Sequence, residues 1–306
     1  MLRVPTAVQP VATMPELPDI LVYIDCLKPR VIGQPLERLR IASPFLVRSV
    51  DPPAASAEGR TVQAVRRLGK RIVLGLDGNL FVVLHLMIAG RLHWKARGVP
   101  VPGKKGLAAF DFPSGSLVLT EAGSKKRASL HLVFGQEGLD RLDPGGLEVL
   151  QAPAAQFAEC LRRANHTLKR ALTDPHLFSG IGNAYSDEIL HAARLSPLQL
   201  TRNLDDEEMA RLHASVVRVL LEWTERIREQ AGSDFPEHVT AFREGMAVHG
   251  RFGKACPVCG APVQRIVYAE NEANYCARCQ TGDRLLADRA LSRLLREDWP
   301  RRLADE

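Results

Sequence analysis

Between residues 31 and 132 apolar and polar positions alternate in short runs. They read LERLRIA, TVQAVRRL, RIVLGL, LFVVLHL, LAAFDF, SLVLTEA and ASLHLVF, with turn residues between them, as in LDGNL and FPSGSL. A period of two is the mark of strands with one buried face, so this stretch predicts a β-sandwich or barrel of about seven or eight strands. On either side the period lengthens. Ile20, Leu21, Ile24 and Leu27 share one helical face over 18–28. Pro18 suits a first helical turn, Asp19 suits the positive end of the helix dipole, and Pro29 reads as the stop. Helical patterns return over 154–163, 166–173 and Asn183–Ala193, and a long amphipathic helix covers 205–230 with acidic residues in its first turn. Leu212, Val216, Val219, Leu220, Trp223 and Ile227 make its apolar stripe. Residues 137–153 read as a loop-like linker, and RLLADRALSRLLREDW near the end reads as a last amphipathic helix.

Composition narrows this little. The chain has 306 residues, 45% of them hydrophobic and 25% charged, enough for a sizeable core and about two domains. The net charge of +6 mildly favours a polyanionic partner. The longest apolar run, LFVVLHLMIAG, is too short to span a bilayer and contains a histidine. Residues 1–13 lack an unbroken apolar core and do not read as a signal peptide; they read as a disordered extension or a mis-assigned start. The expected setting is therefore cytoplasmic, neither secreted nor membrane-bound.

The six cysteines change the picture more. Cys26 and Cys160 stand alone on apolar helical stretches and read as buried small hydrophobes. The other four form CxxC, sixteen residues, CxxC: Cys256, Cys259, Cys276 and Cys279. Four thiolates at this spacing can surround one Zn²⁺ tetrahedrally. Such a site leaves no open position for substrate, so its role is structural; a redox pair is the weaker rival.

Three further stretches carry candidate chemistry. FSGIGNAYSDEIL (178–190) places Asn183 at a helix start, where N–H groups and an amide can bind an anion or simply cap the helix. Lys169 and Arg170 upstream tip that balance toward phosphate. RRLGKRIVLGL (66–76) sets Lys70 on a basic turn entering a strand, and GSKKRAS (123–129) sets Lys126 and Arg127 at a strand end.

These stretches, in this order and with MPELPD (14–19), VHGRFGKACPVCG and YCARCQ, resemble the formamidopyrimidine-DNA glycosylase / endonuclease VIII family of base-excision repair enzymes over essentially residues 14–280. The resemblance implies an α+β multidomain fold. It would comprise an N-terminal helix and β-sandwich (14–136), a linker (137–153), a helix–two-turn–helix domain (154–248), a four-cysteine zinc-finger β-hairpin (249–282) and a C-terminal helix (283–306). It implies a nucleoid-associated monomer acting on double-stranded DNA that contains a damaged base or abasic site. It further implies Pro15 as nucleophile, provided Met14 is the true start and is removed, with Glu16 moving protons. Lys70 and Asn183 would contact phosphates, with Lys169 as a third. Asp19 stands where the family often has glutamate, and here reads first as a helix-dipole partner.

The chain also departs from the pattern. EAGSKKRAS replaces a DPRRFG-like stretch, so the inserted phenylalanine is missing and Arg127 or Lys126 stands near the gap. Met87 or Ile88 falls at the usual wedge position. Asn271, followed by Glu272, replaces an arginine that clamps phosphates around the lesion; Arg265 is a possible substitute. The implied activity is excision of a damaged base, expected to be an oxidised one, followed by strand cleavage. A catalytically inactive damaged-DNA-binding protein on the same scaffold is the alternative, favoured by the thirteen-residue extension and the lost arginine.

Overall fold

The computed structural model describes residues 14–123, 125–237, 239–240, 242–268, 271–286 and 302–303. The expected 1–13 extension and most of the expected 283–306 helix lie outside them. The chain divides into two units, one holding Met14–Gly146 and Leu221–Thr240, the other holding Leu147–Leu220 and the described residues after Ala241. This division assigns Leu221–Thr240 to the first unit; the family resemblance implies a domain over 154–248.

The first unit begins with helix α1 (Leu17–Val31). Its apolar spacing puts Ile20, Tyr23, Ile24, Leu27 and Val31 in the core, while Leu21 is only half-buried. Pro29 does not end the helix, which runs on to Val31. A proline in the last turn removes only one N–H, and the Arg30 guanidinium caps a neighbouring carbonyl by donating to Cys26 O at 2.7 Å.

Eight strands follow: β1 (Arg38–Ile41), β2 (Val62–Leu68), β3 (Arg71–Leu76), β4 (Leu80–His85), β5 (Gly90–Lys95), β6 (Gly106–Phe112), β7 (Gly115–Glu121) and β8 (Ser129–Phe134). They form two antiparallel four-stranded sheets, ordered β1-β6-β7-β5 and β2-β3-β4-β8. Leu74, Val82, Leu84 and Leu132 of one sheet share a core with Phe110, Phe112, Leu117 and Leu119 of the other. Each such buried side chain contributes roughly 1.5–3 kcal/mol of burial free energy. The opposite face of the second sheet is covered by α2 (Gly135–Asp140), through Leu139 on Val73 and Val83. Most of α2 thus falls in the stretch read as linker. Phe235 and Val239 also join the first core, Phe235 lying against Tyr23 at 5.5 Å.

The second unit contains α3 (Ala154–Arg162), α4 (Leu168–Thr173) and α5 (Asn183–Ala192). Phe157 stacks on Phe178 at 4.8 Å between them. Helix α6 (Asp206–Ala231) has residues in both units. The hairpin β9 (Val263–Tyr268) and β10 (Asn271–Cys276) leads into the short α7 (Ala277–Thr281). Among the described residues no helix is long and apolar enough to cross a membrane.

Candidate functional site

In the first unit, Pro15 and Glu16 immediately precede α1 and are buried. Asp19, also buried, accepts a hydrogen bond from the Glu16 amide at 2.9 Å. This bond closes the first turn and fixes where Pro15 and the Glu16 side chain leave the helix. Asp19 therefore serves helix geometry, in line with its dipole reading.

Lys70 sits with Gly69 in the two-residue turn between β2 and β3, where Leu68 pairs with Arg71. Gly69 takes φ +60, the left-handed conformation that such a tight hairpin requires. Arg71 pairs in register with His85 on β4. Burial, then the charges of Arg71 and Lys70, push the His85 imidazole down to about 4, so it is neutral at physiological pH. His131 on β8 is lowered for the same reasons, by burial first and Arg71 next. Lys70 thus lies at a cationic end of the sheet whose histidines add no charge.

The β7–β8 loop holds Arg127, which is exposed. Its amide donates to both carboxylate oxygens of buried Glu121, at 3.0 and 2.9 Å, and the Ala128 amide donates to the same group at 3.2 Å. The Lys126 ammonium donates to the Glu121 carbonyl. One buried acid therefore shapes the basic loop from its base. The β4–β5 turn carries Met87 at φ +52, with Met87 and Ile88 both half-buried.

In the second unit Asn183 is the first residue of α5, half-buried, and its side chain makes no hydrogen bond to a described residue. The ammonium of Lys169, the residue expected to face phosphate, donates to Asn183 O at 2.6 Å and to Asp187 Oδ1 at 2.5 Å. Asp187 is wholly buried and also accepts from His249 Nδ1 at 2.8 Å and Asn274 Nδ2 at 3.3 Å. Burial alone would raise the Asp187 carboxyl, but Lys169 and His249 hold it below the ordinary carboxylate range.

The neighbouring Glu188 carboxylate accepts three consecutive amides, from Ala247, Val248 and His249, at 2.7–2.9 Å. Burial pushes this carboxyl up against the pull of those N–H groups. One turn on, His191 Nε2 lies 3.3 Å from Cys256 Sγ. Burial and then Arg194 lower the His191 imidazole. Asp187, Glu188, His191 and His249 are not singled out by the sequence; the only available signal is an unusual density of ionisable groups on one face of α5.

Cys256, Cys259, Cys276 and Cys279 place their sulfurs within 4.8 Å of one another. Cys256 and Cys279 are 3.9 Å apart, and Cys259 and Cys276 are 3.3 Å apart. A tetrahedral ion with metal–sulfur bonds of about 2.3 Å needs sulfurs about 3.8 Å apart, so the four groups fit a metal. Asn271 opens β10 opposite Tyr268 in the register; its side chain lies outside the described residues. Arg265 pairs across the hairpin with Asn274, lies over the Phe252 ring at 4.4 Å and is 3.9 Å from Glu272.

Comparison with known families places these features in sequence order. Residues 14–134 match the formamidopyrimidine-DNA glycosylase N-terminal domain, 146–233 the formamidopyrimidine-DNA glycosylase H2TH domain, and 253–282 the zinc finger found in FPG and IleRS. A formamidopyrimidine-DNA glycosylase of Symbiobacterium thermophilum is 32% identical over 284 residues, covering 87% of this chain and 89% of the relative. The crystal structure of the MutM (Fpg) protein from Thermus thermophilus superposes with a TM-score of 0.73 at 31% identity, covering 87% and 98% of the two chains. A complex of Lactococcus lactis Fpg with DNA containing an oxidised pyrimidine superposes with a TM-score of 0.77 at 25% identity, covering 87% and 100%.

Proposed function

Since the chain belongs to the formamidopyrimidine-DNA glycosylase family, we propose that it is a bifunctional DNA glycosylase and abasic-site lyase acting through Pro15 on damaged, oxidised bases in double-stranded DNA. The observation that carries this reading is the head of α1. The family match begins at Met14, and Pro15 and Glu16 stand there on a first turn closed by Asp19.

With Met14 removed, Pro15 would present a secondary amine. An α-amine has a pKa near ~8, against ~10.4 for lysine, so about a tenth is unprotonated at neutral pH. That nitrogen attacks C1′ of the extruded nucleotide while the base leaves with its bonding electrons. Glu16 donates a proton to the opening sugar oxygen. The resulting iminium acidifies the C2′ proton, whose loss expels the 3′ phosphate; a second elimination releases the 5′ phosphate. Lys70 supplies positive charge to a phosphate, and Asn183 offers its amide at the α5 start. Lys169 acts one step removed, holding the Asn183 carbonyl and thereby positioning that amide. Arg127 and Asn271 are the remaining DNA contacts of this reading, and an asparagine offers a phosphate no charge where the family has an arginine. The four thiolates hold one structural Zn²⁺, which supplies folding stability and no reaction step.

The test is borohydride trapping. Protein beginning at Pro15, mixed with duplex DNA carrying an abasic site, is expected to give a covalent adduct. If that protein binds the duplex yet never forms the adduct, the catalytic reading fails and a non-catalytic binder of damaged DNA remains.

A further inference from the structure

Among the described residues, a cysteine sulfur of the metal site meets a side chain that tetrahedral coordination does not use. His191 is only 6% exposed, in the last turn of α5, and its Nε2 faces the sulfur of Cys256, itself 3% exposed. The two residues are 65 positions apart, so the contact is tertiary. Resting on the reading that the four thiolates hold zinc, we propose that His191 is a positioning residue for that centre, donating Nε2–H to the Cys256 thiolate and locking this cysteine knuckle onto α5.

The chemistry leaves one consistent arrangement. An imidazole nitrogen presents either an N–H or a lone pair to its neighbour. A lone pair aimed at a sulfur that already holds negative charge would repel it; the N–H tautomer attracts it. Four thiolates around a divalent cation leave the cluster with a net charge of about −2, and a buried cluster of that charge is stabilised by every donor aimed at sulfur. The second cysteine pair is anchored to the same region by different atoms. Buried Gln280 accepts the Cys276 amide at 2.8 Å and donates to Leu195 O, just beyond α5, at 2.8 Å. One knuckle is thus tied to the end of α5 through a side chain on its sulfur, the other through a side chain on its backbone. His191 is the tie that acts on the ligand atom, and loss of such an outer partner typically weakens metal affinity about 10–100-fold.

The experiment uses the full zinc-loaded chain and a chromogenic chelator that competes for the metal. The unaltered protein is expected to hold one zinc. His191→Phe should release it to about 10–100-fold less chelator while keeping its helical circular dichroism. His191→Gln, whose amide can still donate, should recover most of the difference. With Co²⁺ in place of zinc, the sulfur-to-metal charge-transfer band should shift in the Phe variant and less in the Gln variant. Equal retention in all three proteins would overturn the proposal. Nitrogen NMR of the unaltered chain gives a check independent of any variant: the Nδ1–H tautomer at His191 would also overturn it. A wild-type chain that binds no zinc would instead sink the metal reading on which this one stands.

Discussion

Asp187→Asn is the most informative single change in the second unit. It keeps the shape of a wholly buried side chain but removes the charge that faces Lys169 at 2.5 Å and His249 at 2.8 Å. With an effective dielectric of about 20, unit charges at that first separation attract by roughly 6–7 kcal/mol. Removing both charges from water offsets much of this. Deleting one partner of a buried pair nonetheless costs about 3–5 kcal/mol, because the other charge stays behind. Lys169 keeps the Asn183 carbonyl as an acceptor, so the expected loss is about 3 kcal/mol, near the low end of that range. The readout is hydrogen exchange of the Ala247–His249 amides, which Glu188 holds next door. A loss of about 3 kcal/mol corresponds to roughly a hundredfold faster exchange if these amides open with the unit. The pH dependence has a definite sign. The folded Asp187 carboxyl is depressed, so its contribution is complete above the unfolded value of about 3.9 and is lost as pH falls through the lower folded value. The gap between wild type and variant should therefore be constant from about pH 5 to 8 and close only in strong acid. Unchanged exchange at pH 7 would refute the argument that this network ties α5 to the hairpin.

Other expectations follow from the first unit. Lys70→Ala should weaken binding to any duplex about equally and reduce the slope of log affinity against log salt by about one, as measured by titration at several salt concentrations. Glu121→Gln should free the 122–128 loop at a cost of about 1–3 kcal/mol, seen as faster tryptic cleavage after Lys125–Arg127, because its charged acceptor for two amides is lost. The unfolded chain takes up a proton at His85 near pH 6.5, while the folded chain resists it down to about 4. His85 therefore makes wild-type stability fall with acidification across that window, and His85→Gln should flatten the slope there in urea titrations at stepped pH.

The sequence was most legible where a pattern is local. In the first unit the apolar-rich runs bounded by turn residues located seven of the eight strands, although β6 is buried on both faces. They missed β5, since the apolar run 80–90 passes straight through the turn at Met87, whose left-handed backbone no residue type announces. Two glycines in Gly135–Asp140 hid α2. CxxC spacing revealed the metal centre because each knuckle is made within a few residues. The charged network did not show itself, because its members are far apart in the chain: Lys169 and Asp187 by 18 positions, Asp187 and His249 by 62. A lone lysine beside a glycine-rich helix start looks like a phosphate ligand. Only the buried carboxylate one turn into α5 reveals that its charge is already neutralised.

The three amides that converge on Glu188 bear on how such proteins can be rearranged. They belong to Ala247–His249, just upstream of the 253–282 match, while the acid that receives them sits in another domain's helix. The cysteine hairpin is consequently not a portable cassette. Transplanted without α5, it would leave the amides of its own entry segment with no acceptor, so a chimera that swaps this finger must bring the acidic helix with it.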